Sequence, residues 1–148
     1  MQPSIKNDLL YLLRMLECCG KINIYAGSFT NAESFYGYKD QIAFNACLSQ
    51  LTQLGEQAKK LSDELTENYS HIEWHQIRGF RNRVVHEYAR VNMQLVFETV
   101  SKSLPLLSRQ LIPVIKTEIQ NGNFDIIEFN IAKTSPYLLH VDFSLFEK

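Results

Sequence analysis

Apolar residues fall at helical spacing over most of the chain. Ile5, Leu9, Leu12 and Leu16 recur every three or four positions and stop before Gly20, which predicts a first helix of about three turns. The stretch from Lys21 to Tyr38 is polar, contains Gly and is rich in Tyr, and reads as a loop with room for a short helical piece. Phe44, Cys47, Leu51, Leu54, Ala58, Leu61 and Leu65 then alternate steps of three and four along a second helix, a seam suited to packing along a neighbour at a shallow angle. The pattern breaks over Glu67 to Ser70. A third helix resumes near Glu73 with Trp74, Ile77, Phe80, Val84, Val85 and Tyr88 on one broad face. From about Asn92 a fourth carries Val96, Val100, Leu104, Leu107, Leu111 and Ile115, and because the period continues past Pro105 and Pro113 these should bend the helix and not end it. Asn121-Gly122-Asn123 terminates helix. Beyond it, Phe124 to Ile131 and Tyr137 to Phe143 are aromatic and β-branched runs separated by Lys133 to Pro136, and they read as two short strands. The expected architecture is an all-α up-and-down bundle over residues 1–120 with a C-terminal β hairpin or arm over 121–148.

The chain has 148 residues, the size of one domain with one core. No apolar run approaches the roughly 18 residues of a membrane span, and the N-terminus lacks a basic-then-apolar signal pattern, so a cytoplasmic location without membrane contact is the expectation. Its three cysteines form no disulfide framework: Cys18 and Cys19 are adjacent and Cys47 falls on an apolar helix face. A net charge of -1 argues against a protein that coats nucleic acid indiscriminately, so any RNA contact has to come from a local patch. Arg78, Arg81, Arg83 and Arg90 make one. His71 and His75 stand four apart, but no third ligand at plausible spacing accompanies them, and no metal site is expected. Tyr25, Tyr36 and Tyr38 are of a type that stacks on bases, although an aromatic loop more often packs on its own core.

The densest chemistry lies in Arg81-Asn82-Arg83-Val84-Val85-His86-Glu87-Tyr88. Written as Arg-x4-His-x-Tyr, this segment resembles the signature of HEPN-fold ribonuclease toxins from HEPN/MNT toxin-antitoxin pairs. Leu54-Gly55-Glu56 ahead of Ala58, Ile72-Glu73-Trp74, Ile77-Arg78-Gly79-Phe80 and Leu104-Pro105 match as well, so that the resemblance runs from about Asp40 to Leu111, half of the chain. It implies the HEPN bundle and a metal-independent endoribonuclease acting as a homodimer whose two motifs line one cleft. His86, with an intrinsic pKa near 6.5, would be the base or acid that lets the RNA 2'-hydroxyl attack. Arg81 would bind the scissile phosphate, and Asn82 would orient it or the imidazole. Arg78, Arg83 and Glu56 would support the site. The expected product is a 2',3'-cyclic phosphate.

Tyr88 carries a separate implication: in pairs with a Tyr two residues after the His, a cognate minimal nucleotidyltransferase antitoxin of the MNT family transfers AMP to it and silences the toxin. ATP and magnesium would belong to that partner, and this chain would need no cofactor. A non-catalytic HEPN subunit that presents a nucleotide or substrate to a nucleotidyltransferase is the alternative.

On a helical wheel Arg81 falls inside the apolar arc of the third helix, where a guanidinium requires a partner, with Glu56 the first candidate. Asn82 and His86 fall on the opposite side. Arg81 and His86 therefore share a site only if the helix unwinds near Val85 or a second copy of the segment lies across from the first.

Overall fold

A computed structural model describes residues 4–86 and 92–148 and shows helices joined by short turns, with no strand among the described residues. Two long helices, α1 (Leu9–Ala26) and α3 (Ile42–Lys59), form its spine. They run antiparallel and seal the core with Leu12, Leu16, Cys47, Leu51 and Leu54. The short α2 (Ala32–Gly37) is the helical piece inside the predicted loop, N-capped by Asn31, whose side chain accepts from the Ser34 amide at 2.8 Å. After it Lys39, Asp40 and Gln41 all take positive φ, a left-handed turn that costs on the order of 1–2 kcal/mol per residue.

The first helix does not stop before Gly20. It continues to Ala26 because Gly20 serves close approach and not termination: a Cβ there would lie 2.1 Å from the backbone oxygen of His140, on the C-terminal segment that crosses it. Buried Glu17, one turn earlier, pins that crossing by accepting from the His140 amide at 2.6 Å and meeting its Nδ1 at 2.7 Å.

The second helix ends sooner than its seam. Leu61 and Leu65 remain in the core, but the chain turns at Lys60–Ser62 and restarts as α4 (Asp63–Asn68), because Ser62 caps α4 and is itself held by buried Asp8. The Asp8 carboxylate accepts from the Ser62 amide at 3.0 Å and from its hydroxyl at 2.5 Å. Burial raises the Asp8 pKa above the usual carboxylate value, against the opposing pull of those two bonds. The link ties the start of α1 to the end of α3, which is why the two helices stay in register.

The third predicted helix is two short ones, α5 (Trp74–Arg78) and α6 (Phe80–His86), separated by a tight turn at Gly79. Helix α7 (Met93–Glu98) passes through a π-helical turn over Thr99–Ser103 into α8 (Leu104–Gln120). Pro105 sits in the first turn of α8, where its missing N–H costs least, and Pro113 lies within the helix without ending it. Gly122, at φ 79°, closes α8 in the left-handed conformation that favours Gly.

The two expected C-terminal strands are absent. Asp125 caps α9 (Ile126–Ala132) through a bond from the Ile127 amide to its carboxylate at 2.8 Å, and a short 3-10 helix, Phe143–Glu147, ends the chain. The β-branched run formed a helix because Phe129 and Ala132 lie one turn apart and bury together beside Phe124. Phe129 also packs edge-on against Phe143 and Phe146 at 5.7 and 5.1 Å. Residues 121–148 thereby contribute Phe124, Phe129, Leu138 and Val141 to the same core as the helices before them.

Candidate active site

Gly55 on α3 positions the motif. A Cβ at Gly55 would lie 2.9 Å from the Ile77 carbonyl and 3.3 Å from the Phe80 side chain, so the α5–α6 turn sits against the α3 backbone at a distance that only Gly allows. Ile77 and Phe80 are buried on either side of that contact. Residue 81 therefore emerges above residue 56.

The expected Arg81–Glu56 pairing is present, with Nη1 and Oε1 3.9 Å apart, and Lys59 reaches the same Glu56 oxygen at 3.3 Å. One carboxylate thus tethers two cations. The wheel places Arg81 in a buried arc, but its side chain is 60% exposed. The buried arc narrows after Phe80: Val84 is half-buried against the core and Val85 is 58% exposed. The Arg81 guanidinium is consequently hydrated, its bond to Glu56 is weak, and a phosphate can compete for it. Asn82 and His86 are exposed and Arg83 is half-buried.

Arg78 is held differently from Arg81. Its Nε donates to the Ala58 carbonyl at 3.1 Å and its Nη2 to the Leu61 carbonyl at 3.4 Å, closing the C-terminus of α3. That guanidinium joins α5 to α3.

Tyr88, together with Glu87 and Arg90, lies outside the described residues. Among the described residues no group of three or more His, Cys, Asp or Glu is arranged to hold a metal ion, and no helix is long and apolar enough to cross a membrane. Lys59 was missed in the sequence, although its spacing of three from Glu56 on a helix is the signal that would have found it.

A helical bundle that presents an exposed Arg-x4-His segment on a short helix, seated on Gly-Glu of a long one, defines a class by its geometry. The chain belongs to that class as a member of the HepT-like family, described as Ribonuclease HepT-like, whose family model matches residues 15–114. The "Putative RNase TTE0752" of Caldanaerobacter subterraneus subsp. tengcongensis is 34% identical over 80 residues, covering 54% of this chain and 71% of that one. The "Gamma-glutamylcyclotransferase and putative RNase MJ0434" of Methanocaldococcus jannaschii is 26% identical over 118 residues, 80% of this chain but 52% of that one. The "Putative RNase MJ0125" of the same organism is 30% identical over 71 residues, with 48% of this chain and 61% of that one covered. No solved structure matches the chain.

Proposed function

We propose that the protein is a metal-independent endoribonuclease in which His86 moves the proton and Arg81 holds the phosphate. The observation that carries this reading is the exposed Arg81, held only loosely by Glu56, on the same short helix as the exposed His86. A hydrated guanidinium with a displaceable carboxylate is ready to exchange that carboxylate for a phosphodiester. His86 removes the 2'-hydroxyl proton, the 2'-oxygen bonds to phosphorus, and the bond to the 5'-oxygen breaks as that oxygen takes up a proton. The products are a 2',3'-cyclic phosphate and a 5'-hydroxyl. The planar Arg81 donors stabilise the charge that builds on the non-bridging oxygens.

The working unit in this proposal is a homodimer. Helix α6 is continuous through Val85 to His86, so Arg81 and His86 project about 140° apart. With the helix intact, a second motif facing the first supplies the missing half of each site, and the imidazolium of the other copy is placed to protonate the leaving oxygen. The exposed Val85 beside the motif is the kind of side chain such a contact would cover. Regulation is assigned to Tyr88, as the acceptor of AMP from a cognate MNT-family nucleotidyltransferase acting as antitoxin. AMP two residues beyond His86 would bring bulk and negative charge to the place of the RNA phosphate.

The test is cleavage of RNA by purified protein in EDTA, with and without added magnesium. Cleavage in chelator that ends in a cyclic phosphate supports the mechanism, whereas activity that returns only with metal removes it. Intact-mass measurement after co-expression with a cognate MNT-family nucleotidyltransferase would show added AMP, absent in Tyr88→Phe. Undiminished modification in that variant would take Tyr88 out of the regulatory role.

A further inference from the structure

A polar groove runs along the outer side of α1 and α3. On α1, Arg14, Lys21 and Tyr25 follow one another along a single face, and the facing side of α3 carries Gln57, Gln53 and Gln50. The middle of the groove is a polar hollow of about 320 Å³. Towards the C-terminal end of α1 it passes into a second hollow of about 480 Å³ lined by Tyr25, Phe29, Tyr38 and Ile42. At the other end Lys60 lies 5.8 Å from the centre of the Tyr11 ring. Over the eighteen residues of α3, a length of about 27 Å, the cations Arg14 and Lys21 therefore lie between the Tyr11 and Tyr25 rings, with Lys60 beside Tyr11.

Three further observations point to a ligand. Gln57 lines the polar hollow, and its side-chain oxygen is buried in the wall without a hydrogen-bond partner among the described residues. Tyr38 remains 43% exposed although Phe29 packs edge-on against it at 5.2 Å, and Lys39 stands 5.4 Å from its ring centre. That ring and that cation are held at the mouth of the aromatic hollow by the left-handed turn of Lys39, Asp40 and Gln41, which Gln41 braces with a 3.0 Å bond to the Tyr36 hydroxyl. Strain kept in place by a dedicated bond is a mark of a functional segment.

We infer that this groove is a track for single-stranded RNA that leads the strand to the Arg81 site, with Arg14, Lys21 and Lys60 along the phosphates and Tyr38 stacking on a base. The inference rests on the ribonuclease reading. Glu56 follows Gln53 by three positions on α3, so the glutamine edge of the groove continues to the carboxylate that holds Arg81. Glu17 also lines the groove, but its carboxylate is engaged by His140 at 2.7 Å and stands 3.9 Å from Lys21, so the cations Arg14, Lys21 and Lys60 outnumber it and set the sign of the surface. Cations flanked by rings suit unpaired bases, each of which offers a face for stacking, and the amides of Gln50 and Gln53 tolerate any base edge. Duplex RNA, with its bases already stacked, gains nothing from Tyr38.

The test uses the full chain carrying His86→Ala, so that binding is read without cleavage, and a fluorescent uridine dodecamer as probe. Arg14→Gln with Lys21→Gln should lower the slope of log affinity against log salt by about 1.4, from roughly 0.7 per phosphate contact on a single strand. Tyr38→Ala should weaken the dodecamer about tenfold and leave a duplex of equal length unaffected. Circular dichroism confirms that each variant is folded. Unchanged affinity and salt slope in folded variants overturn the track, as does a halving of sedimented mass in the Tyr38 variant with RNA affinity intact, which would mean that the groove receives another copy of the chain. Track-dependent binding by a protein whose wild type cleaves no RNA would defeat the nuclease reading and leave the track standing. Cleavage by the wild type combined with unaltered binding in the variants would do the reverse.

Discussion

Helices α3 and α6 meet at Gly55, and they use their residues in opposite ways. Helix α3 buries Phe44, Cys47, Leu51, Leu54 and Ala58 along one continuous seam, and its C-terminus is closed by the Arg78 guanidinium. Helix α6 buries only Phe80 and presents Arg81, Asn82, Val85 and His86 to solvent. The two arginines make the contrast sharpest. Three positions apart, Arg78 is consumed by two backbone carbonyls while Arg81 is left hydrated beside a shared carboxylate. A long helix bears the stability, so that a short one can carry groups whose value lies in being unsatisfied.

The largest expected break in that comparison is His86→Ala. If α6 is chemical and not structural, RNA cleavage falls by about 10²- to 10⁴-fold, the usual contribution of a general acid or base, while the melting temperature stays close to wild type. A variant that loses its fold instead would make His86 part of the scaffold.

Next comes the junction itself. Gly55→Val puts side-chain carbon against the Ile77 carbonyl and Phe80, contacts already at 2.9 and 3.3 Å for a Cβ alone. The cost should be about 1–3 kcal/mol in urea unfolding, with loss of cleavage because the motif is displaced. A stable and active valine variant would show that the seating of α6 on α3 is dispensable.

The arginine pair sharpens the comparison further. Arg78→Ala removes the two bonds that tie α5 to the end of α3, leaving the Leu61 carbonyl without the guanidinium donor while Ala58 keeps its backbone donors, and should cost about 1–3 kcal/mol, whereas Arg81→Ala should change stability by no more than about 0.5 kcal/mol and still abolish most activity. Equal effects on stability from the two would dissolve the distinction.

The smallest effect concerns the cysteines of the two long helices. Burial pushes the Cys18 thiol up to about 11 and those of Cys19 and Cys47 to about 12. At pH 8 all three are protonated, and the folded protein should consume a thiol reagent slowly, with three equivalents released quickly on denaturation. Rapid labelling of the native protein would mean that the α1–α3 core opens readily.

The helices around the core were legible because burial on one side imposes a period, and Leu12, Leu16, Leu51 and Leu54 obey it. The periodicity failed wherever a long-range contact intervened. Gly20 looks like a helix end and is a crossing point for His140. The seam through Leu61 and Leu65 looks unbroken, yet Asp8 reaches across to Ser62 and turns the chain there. Ile126, Ile127, Phe129 and Ile131 look like a strand, but no neighbouring strand exists among the described residues to pair with it. In the site, the wheel called for a partner to Arg81, and the Gly55-Glu56 pair of the family resemblance pointed to Glu56, which the structure places there. The degree of exposure of Arg81 was not, since a wheel has no information on where the partner helix ends.

The sequence by itself determined that the chain is a helical bundle and that Arg81 and His86 sit on one helix, because both follow from local spacing and residue type. Tertiary structure alone decided which arginine is spent on the fold and which stays exposed beside Glu56, where α1 passes under the C-terminal segment, and how Tyr11, Arg14, Lys21 and Tyr38 come to share a groove with the glutamines of α3. Those outcomes depend on which surfaces meet, and a meeting of distant surfaces is set by the packing of the whole core and not by the order of residues along any one helix.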